Sequence, residues 1–338
     1  MKHVNIPIFI PHMGCPNLCV FCDQRSISGK MTFDETCVRE EIEKVLATIQ
    51  GEVETEIAFF GGSFTGIDRE LMITLLKTAH SYVTSGRVHS IRCSTRPDYI
   101  DEEILEILAK YGVRVIELGL QSVSDRVLGI TKRGHNKEDC ARACKLIKQR
   151  GFSLVGQMMI GLPGSTVADE SETADFIISV GANAARIYPT VVFRDTELCS
   201  MCDRGEYKPL SIDEAVTRSA AVLRKLRRAE VDVIRIGLCA SENLADDATY
   251  FAGPNHPALG ELIESELYYQ GISEKMSEYC GLKNITVIVR KGELSKAIGQ
   301  HRSNKTRLIN EFGLSGLKFR EDESVPRYEF KLEVEGIQ

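Results

Sequence analysis

The chain has 338 residues, 43% of them hydrophobic, and a formal net charge of −6. That length exceeds one modest domain and suits a barrel-like domain with an appendix, while the acidic balance excludes a globally basic nucleic-acid binder and leaves room for a local basic patch. No apolar run is long enough to cross a bilayer, and 11 cysteines without a signal-peptide pattern point to a reducing, cytoplasmic compartment where thiols serve metals rather than disulfides.

In chain order, apolar and β-branched runs read as strands at 4–10, 56–60, 88–93, 113–120, 153–160, 185–192 and 231–238. Segments of helical periodicity separate them, among them 34–49 with a Thr32-x-x-Glu35 capping box, 101–110 after Pro97-Asp98, and 136–149. Strand and helix alternating this often imply parallel pairing with right-handed crossovers, hence an α/β barrel or a doubly wound sheet. Polar or glycine-rich motifs follow the strands, where such folds build their chemistry: Gly61-Gly62-Ser63, Ser94-Thr95-Arg96, Gln121-Ser122, Gly161-Leu162-Pro163-Gly164 and Tyr188-Pro189-Thr190.

After the first strand come Cys15, Cys19 and Cys22 at C-x3-C-x2-C spacing. Three thiolates on one short loop suit three irons of a 4Fe-4S cube and leave the fourth iron open. The alternatives are a zinc site lacking its fourth ligand, against which the spacing speaks, and coincidental core cysteines. The loop resembles that of the radical S-adenosylmethionine superfamily. That resemblance implies a partial (β/α)6-type parallel barrel, a 4Fe-4S cluster, and S-adenosylmethionine cleaved reductively to a 5'-deoxyadenosyl radical. It also implies a low-potential electron donor such as ferredoxin or flavodoxin, and a Gly61-Gly62 turn, followed by Ser63, that receives the cofactor's amino group.

Four further stretches narrow the resemblance: Ser94-Thr95-Arg96-Pro97-Asp98-Tyr99; Glu117 to Val123 with Thr131-Lys132-Arg133-Gly134-His135; Met158 to Ser165; and Ile187 to Thr196. Over residues 4–227 they resemble the radical domain of the Elongator catalytic subunit family, which acts on tRNA wobble uridine. By that resemblance Gln121, Arg133 and Gln157 contact the ribose, carboxylate and adenine side of the cofactor. Three departures stand out. The cysteine spacing is tighter than in the Elongator family, Ser94 stands where related enzymes carry a glutamate toward the ribose, and the acetyltransferase domain is absent from the sequence. Fold likeness does not carry substrate identity, so the wobble-uridine reaction does not transfer.

The tail reads strand (285–290), short helix (293–298), Gly299-Gln300-His301-Arg302, longer helix (303–312) and strand (316–319). This order resembles the core of KH domains, whose G-x-x-G loop clamps a nucleic-acid backbone. Here Arg302 replaces the second glycine. Lys283, Arg290, Lys291, Lys296, Arg302, Lys305 and Arg307 cluster against a lone Glu293, and we expect Lys291, Lys296, Gly299, Arg302, Lys305 and Arg307 to contact RNA. The expected division is 1–238 partial barrel, 239–272 connecting helical segment and 273–338 KH-like domain.

Other features weigh less. Cys199, Cys202 and Cys239 form an incomplete second metal site, Cys140 and Cys144 read as core, Tyr188 as a rim side chain, and His256 as a feature of the next helix start. The expected function is therefore a radical enzyme that modifies RNA, tRNA or ribosomal RNA. A tetrapyrrole enzyme or heme-handling protein similar to oxygen-independent coproporphyrinogen oxidase is a second reading, opposed by Gln24 where that family carries a further cysteine. A non-catalytic RNA-binding assembly factor is a third.

Overall fold

The β-branched runs become β1 (Lys2–Ile10), β2 (Val53–Gly61), β3 (Ser90–Thr95), β4 (Val113–Gln121), β5 (Ser153–Ile160), β6 (Ala184–Pro189) and, past the short β7 (Val192–Phe193), β8 (Asp232–Ile236). In the computed structural model the described residues are 2–15, 19–24, 32–238, 248–279, 281 and 283–334. They fall into one unit of Met1–Ser211 with Lys225–Asn255 and a second of Ile212–Arg224 with His256–Gln338.

In the first unit the seven long strands make one parallel sheet in the order β1-β2-β3-β4-β5-β6-β8, curled into a half-barrel whose edges β1 and β8 do not pair. The expected partial barrel is therefore present with a seventh strand. Between the strands run α1 (Val38–Leu46), α2 (Arg69–Thr84), α3 (Glu102–Lys110), α4 (Asp125–Ile130), α5 (Lys137–Gln149), α6 (Val167–Ser179) and α7 (Glu197–Asp203), and α8 (Ile212–Arg228) is divided, its residues up to Arg224 in the second unit and the rest in the first. Side-chain caps start several of them. Asp101 accepts from Ile104 N (2.8 Å), and Asn136 with Asp139 and Thr166 with Asp169 form reciprocal boxes. The Thr32 box does not form; Asp34 instead caps a 3-10 turn at Glu35–Cys37 by accepting from Thr36 N (2.9 Å), because the chain turns helical two residues later than the pattern suggested.

The period of two along each strand divides the sheet. One face carries Ile6, Ile8, Ile57, Phe59, Ile91, Ile116, Leu118, Leu154 and Ile187, each fully buried. Gly156 lies on that face with Ile177 of α6 against its Cα, which identifies it as the helix side. The other face lines the half-barrel with Glu56, Arg92, Glu117, Gln157 and Arg186. Arg92 donates to Glu56 through Nε (2.7 Å) and to Glu117 through Nη1 (2.9 Å), and Arg186 Nη2 reaches Glu117 (2.8 Å). Burial would raise the Glu56 carboxyl, but hydrogen bonding from Ser90, the Arg92 charge and His3 hold it below the ordinary range. A buried network of this kind adds little net stability, yet losing one member strands its partners at a cost of about 3–5 kcal/mol.

The second unit contains α9 (Leu259–Met276), β10 (Asn284–Val289), α10 (Leu294–Ile298), α11 (Ser303–Phe312), β11 (Gly316–Glu321) and β12 (Phe330–Val334); β9 (Tyr250–Ala252) pairs with β7 in the first. Its sheet has the order β11-β10-β12, with β10 and β11 parallel and β12 antiparallel. Tyr268, Ile272 and Met276 of α9 pack in one core with Val287, Val289, Ala297, Leu308 and Leu317. Consequently α9, which the sequence suggested as part of a connector, belongs to this unit. His256 Nδ1 accepts from Ala258 N (3.1 Å) at the approach to α9, the helix-start role expected of it.

The basic patch differs from expectation. Lys291 pairs with Glu323 (2.8 Å), Lys296 with Glu264 (2.5 Å) and Arg307 with Glu266 (2.7 Å), while Arg307 also stacks on Tyr269 (3.4 Å). Glu293 is buried, accepting from Tyr268 Oη (2.7 Å) and Tyr328 N (2.8 Å). The carboxylates that neutralise the patch come from α9 and from the segment after β11, too far along the chain for local charge counting to find. Among the described residues Lys283, Arg290, Arg302 and Lys305 have no carboxylate partner.

Asn304 ties the α10–α11 corner together, its buried Nδ2 donating to Ser265 O (2.8 Å), Ser265 Oγ (3.0 Å) and Ala297 O (3.2 Å). Asn304→Ala should lower the unfolding free energy by about 2 kcal/mol in a denaturant titration, against less than about 0.5 kcal/mol for the exposed Asn310→Ala. Equal effects of the two would contradict the assignment.

Candidate cofactor site

β1 ends at Ile10 and the chain turns at His12, whose backbone is left-handed (φ 55°). The His12 amide donates to Gln24 Oε1 (2.5 Å) and the Gln24 amide donates back to His12 Nε2 (3.0 Å), so the two ends of the cysteine loop clasp one another. Inside it, Val20 N donates to Thr131 O (3.3 Å) and Val20 O accepts from Leu198 N (2.8 Å), which fixes the loop between α4 and α7. Gln24 thus has a structural task at the position where the coproporphyrinogen oxidase family carries a cysteine.

The loop's other shoulder rests on the end of β2. Gly62 N donates to Ile10 O (2.8 Å) and Ser63 N to Met13 O (3.0 Å). A Cβ on Gly62 would overlap Met13 O, and one on Gly14 would overlap Ser63 O. Gly14 (φ 72°) and Gly61 (φ 108°) also adopt dihedrals that glycine alone takes without cost. These glycines are therefore required by backbone lying on backbone, a constraint that precedes any contact with a ligand.

Cys19 is buried, and Cys15 and Cys22 are half-buried. Burial, together with the neighbouring Cys19 and Cys15, pushes the Cys22 thiol up to about 12, with Arg133 acting the other way. Arg133 Nη1 donates to Cys19 Sγ (3.2 Å) and Nη2 to Gly119 O (2.7 Å), so one guanidinium joins the cysteine loop to β4. Arg96 braces that arginine: it pairs with Asp98 (2.9 Å) and donates to the Arg133 carbonyl. Burial opposes the charge on Arg96, but Asp98 and, less strongly, Cys19 and Cys15 raise its pKa.

Three thiolates side by side need more positive charge than Arg133 alone supplies, and iron ions provide it while keeping bound thiols deprotonated. Around them Ser63 Oγ, Gln121 Oε1, Arg96 Nη1 and Arg133 Nε are buried without a hydrogen-bond partner. Orphaned donors and an acceptor gathered beside thiols fit a ligand bearing amino, carboxylate and hydroxyl groups. The donor set therefore fits both the cluster and S-adenosylmethionine.

The sequence-predicted residues divide in two. Gly61, Gly62, Ser63, Gln121 and Arg133 gather by the cysteine loop. Ser94 and Gln157 lie in the half-barrel lining, where the half-buried Gln157 donates through Nε2 to Glu117 Oε2 (3.0 Å) and sits 3.5 Å from Ser94 Oγ, a structural role. Arg96, His135 and Glu117 went unassigned although each lies inside a motif read from the sequence; for Glu117 a charged residue at an inward register position of β4 was the available signal. Cys199 and Cys202 pack beside Val20, Leu198 and Tyr207 in an apolar cluster, and Cys239 lies outside the described residues. Among the described residues, Cys15, Cys19 and Cys22 included, no three histidine, cysteine or acidic side chains converge on a single metal ion; a four-iron cube asks instead for one thiolate on each of three irons.

Comparison with known proteins places this geometry. The Radical SAM superfamily profile matches residues 9–177 and a Radical_SAM C-terminal domain profile matches 182–269. An uncharacterised protein of Methanocaldococcus jannaschii is 32% identical over 64% of this chain and 70% of its own. The tRNA uridine(34) acetyltransferase of the same archaeon is 31% identical over 48% of this chain, but the match spans only 34% of that protein. In fold, archaeal Elp3 of Methanocaldococcus infernus superposes with a TM-score of 0.65 at 23% identity, covering 80% of this chain and 63% of that one.

Two outcomes follow from the geometry. Gly62→Ala should keep the far-UV circular dichroism of the wild type yet fail to develop cluster absorbance on anaerobic reconstitution; full loading of that variant would refute the backbone-contact role. Burial, then Arg133 and Arg96, hold His135 down at about 4, with Asp98 working against them. The unfolded chain takes up a proton near 6.5 and the folded chain does not until about 4, so stability is unaffected above 6.5 and falls by about 3 kcal/mol between those values. His135→Gln should flatten that part of a pH series of thermal unfolding, and an unchanged slope would contradict it.

Proposed function

We propose, from the premise that this chain belongs to the Radical SAM superfamily of enzymes, that it cleaves S-adenosylmethionine reductively and directs the resulting radical chemistry at RNA, most simply tRNA. The single observation that carries the enzymatic half is the clasped cysteine loop with Arg133 on Cys19 and unpartnered polar atoms beside it. When bound, a 4Fe-4S cluster and S-adenosylmethionine supply a carbon radical able to take a hydrogen atom. The chain's own residues do the rest: Cys15, Cys19 and Cys22 hold the irons, Arg133 and Arg96 set the charge beside them, and Gln121 and Ser63 orient the cosubstrate. A ferredoxin or flavodoxin is the matching electron donor.

The RNA half is supported by the second unit. Its β10-α10-α11-β11 order, with β10 and β11 adjacent and parallel, around Gly299-Gln300-His301-Arg302, resembles a KH core, and Lys283, Arg290, Arg302 and Lys305 present cations without carboxylate partners among the described residues. Of the three ion-paired cations Lys291 remains available, since its pair with Glu323 is exposed, worth under about 1 kcal/mol, and open to competition from phosphate. Relatives described as tRNA uridine(34) acetyltransferases agree with an RNA substrate.

Anaerobic protein with dithionite and S-adenosylmethionine should release 5'-deoxyadenosine, and alanine at Cys15, Cys19 and Cys22 should abolish the release; its persistence in that variant would sink the reading. Arg302 occupies the left-handed region (φ 63°) where a glycine costs nothing. Arg302→Gly should therefore raise thermal stability slightly, by about 1 kcal/mol or less, while weakening tRNA retention on filters and reducing its salt slope by about 1. Undiminished tRNA binding by Arg302→Gly with Lys305→Ala would remove the second unit from RNA recognition.

A further inference from the structure

Of three arginines on the half-barrel lining, two are paired with carboxylates and one is not. Arg92 is shared by Glu56 and Glu117, and Arg186 pairs with Glu117. Directly across from Arg186, in register on the neighbouring strand, stands Arg235 of β8. Its Nε donates to Gly237 O (3.2 Å), and among the described residues it has no carboxylate partner. Like charges opposite one another on adjacent strands are destabilising, so two arginines in register need a reason.

Tyr188 supplies part of it. Arg186 Nη1 approaches the Tyr188 hydroxyl (3.4 Å), its guanidinium lies over Phe60 (5.4 Å), and the Arg235 charge also acts on that phenol. Burial raises the phenol's pKa, which keeps it a proton-bearing donor. Two guanidinium groups and a hydroxyl therefore border one place on the lining. By register it is level with Gly119, whose carbonyl anchors the arginine that contacts Cys19.

We propose that Arg235, Arg186 and Tyr188 form a recognition site for the carboxylate of a small organic acid that binds inside the half-barrel as a cosubstrate. This rests on the reading of the half-barrel as the place of radical chemistry. One unmatched cation balances one negative charge, and a planar two-oxygen acceptor matches a guanidinium fork. A dianionic phosphate beside Glu117 would leave excess negative charge.

The test uses the full chain with its cluster reconstituted anaerobically and S-adenosylmethionine present, titrated with sodium acetate against sodium chloride at equal ionic strength. Acetate should raise the melting temperature saturably, by about 2 °C at ten times its dissociation constant. Arg235→Gln should lose that response while melting no lower than wild type without acetate, an outcome a purely structural arginine would not give. Arg204→Gln, from an exposed pair with Glu206, should respond as wild type. The site falls if Arg235→Gln responds like wild type, if acetate acts no differently from chloride, or if it acts only when S-adenosylmethionine is omitted, which would give the arginines to that cosubstrate. Equal stabilisation by dimethyl phosphate would overturn the carboxylate assignment. Release of 5'-deoxyadenosine measured on the same sample is independent, so its failure would remove the radical reading and leave the acetate result standing as simple anion binding.

Discussion

Backbone resting on backbone, where no Cβ fits, decides where the three thiols go. Gly14 lies against Ser63 and Gly62 against Met13, so the turn after β2 and the cysteine loop after β1 are one surface. Because β1 and β2 are adjacent and parallel over the full length of β1, the register that places Ile10 beside Gly61 also brings those two turns to the same end of the sheet. The remaining fastenings, Gln24 on His12 and Val20 between Thr131 and Leu198, draw on α4 and α7. The position of the described loop residues is therefore a property of the whole first unit rather than of the cysteine motif.

The sheet does two jobs by presenting opposite chemistry on its two faces. The helix side is a continuous aliphatic layer, and its burial, at about 25 cal/mol per Å², is the main favourable contribution to folding. The lining side gives up part of that gain to hold Glu56, Arg92 and Glu117 away from water, with Arg186 half-buried beside them. Ionic groups are a weak source of stability in such a place, so their presence is better explained by what they position. Glu117 orders Gln157 and Arg186, and Arg133 links β4 to Cys19, so the lining and the cysteine loop share one hydrogen-bonded frame.

Much of this could be read from the sequence, for identifiable reasons. Parallel strands buried on their helix side read as β-branched runs, so all seven were found, and a thiol triplet with few competing explanations located the cluster loop. Glycines at Gly61 and Gly62 were found too, but their immediate reason is the loop they touch. What escaped depends on partners distant in the chain. Glu264 and Glu266 neutralise Lys296 and Arg307 from a helix some 30 to 40 residues upstream, and Glu293 turns inward to Tyr268, so a patch that looked uncompensated is partly paired. The like-charged Arg186 and Arg235 become neighbours only through strand register. The Thr32 box failed because Asp34 offers a closer carboxylate to the same helix start.

The most direct measurement is the Mössbauer spectrum of anaerobically reconstituted, iron-57-labelled protein with and without S-adenosylmethionine. If three cysteines hold a four-iron cube and one corner is open, roughly one quarter of the iron signal should change on adding S-adenosylmethionine while the rest stays put. A spectrum in which all the iron responds alike, or in which none resembles a four-iron cube, would contradict the account.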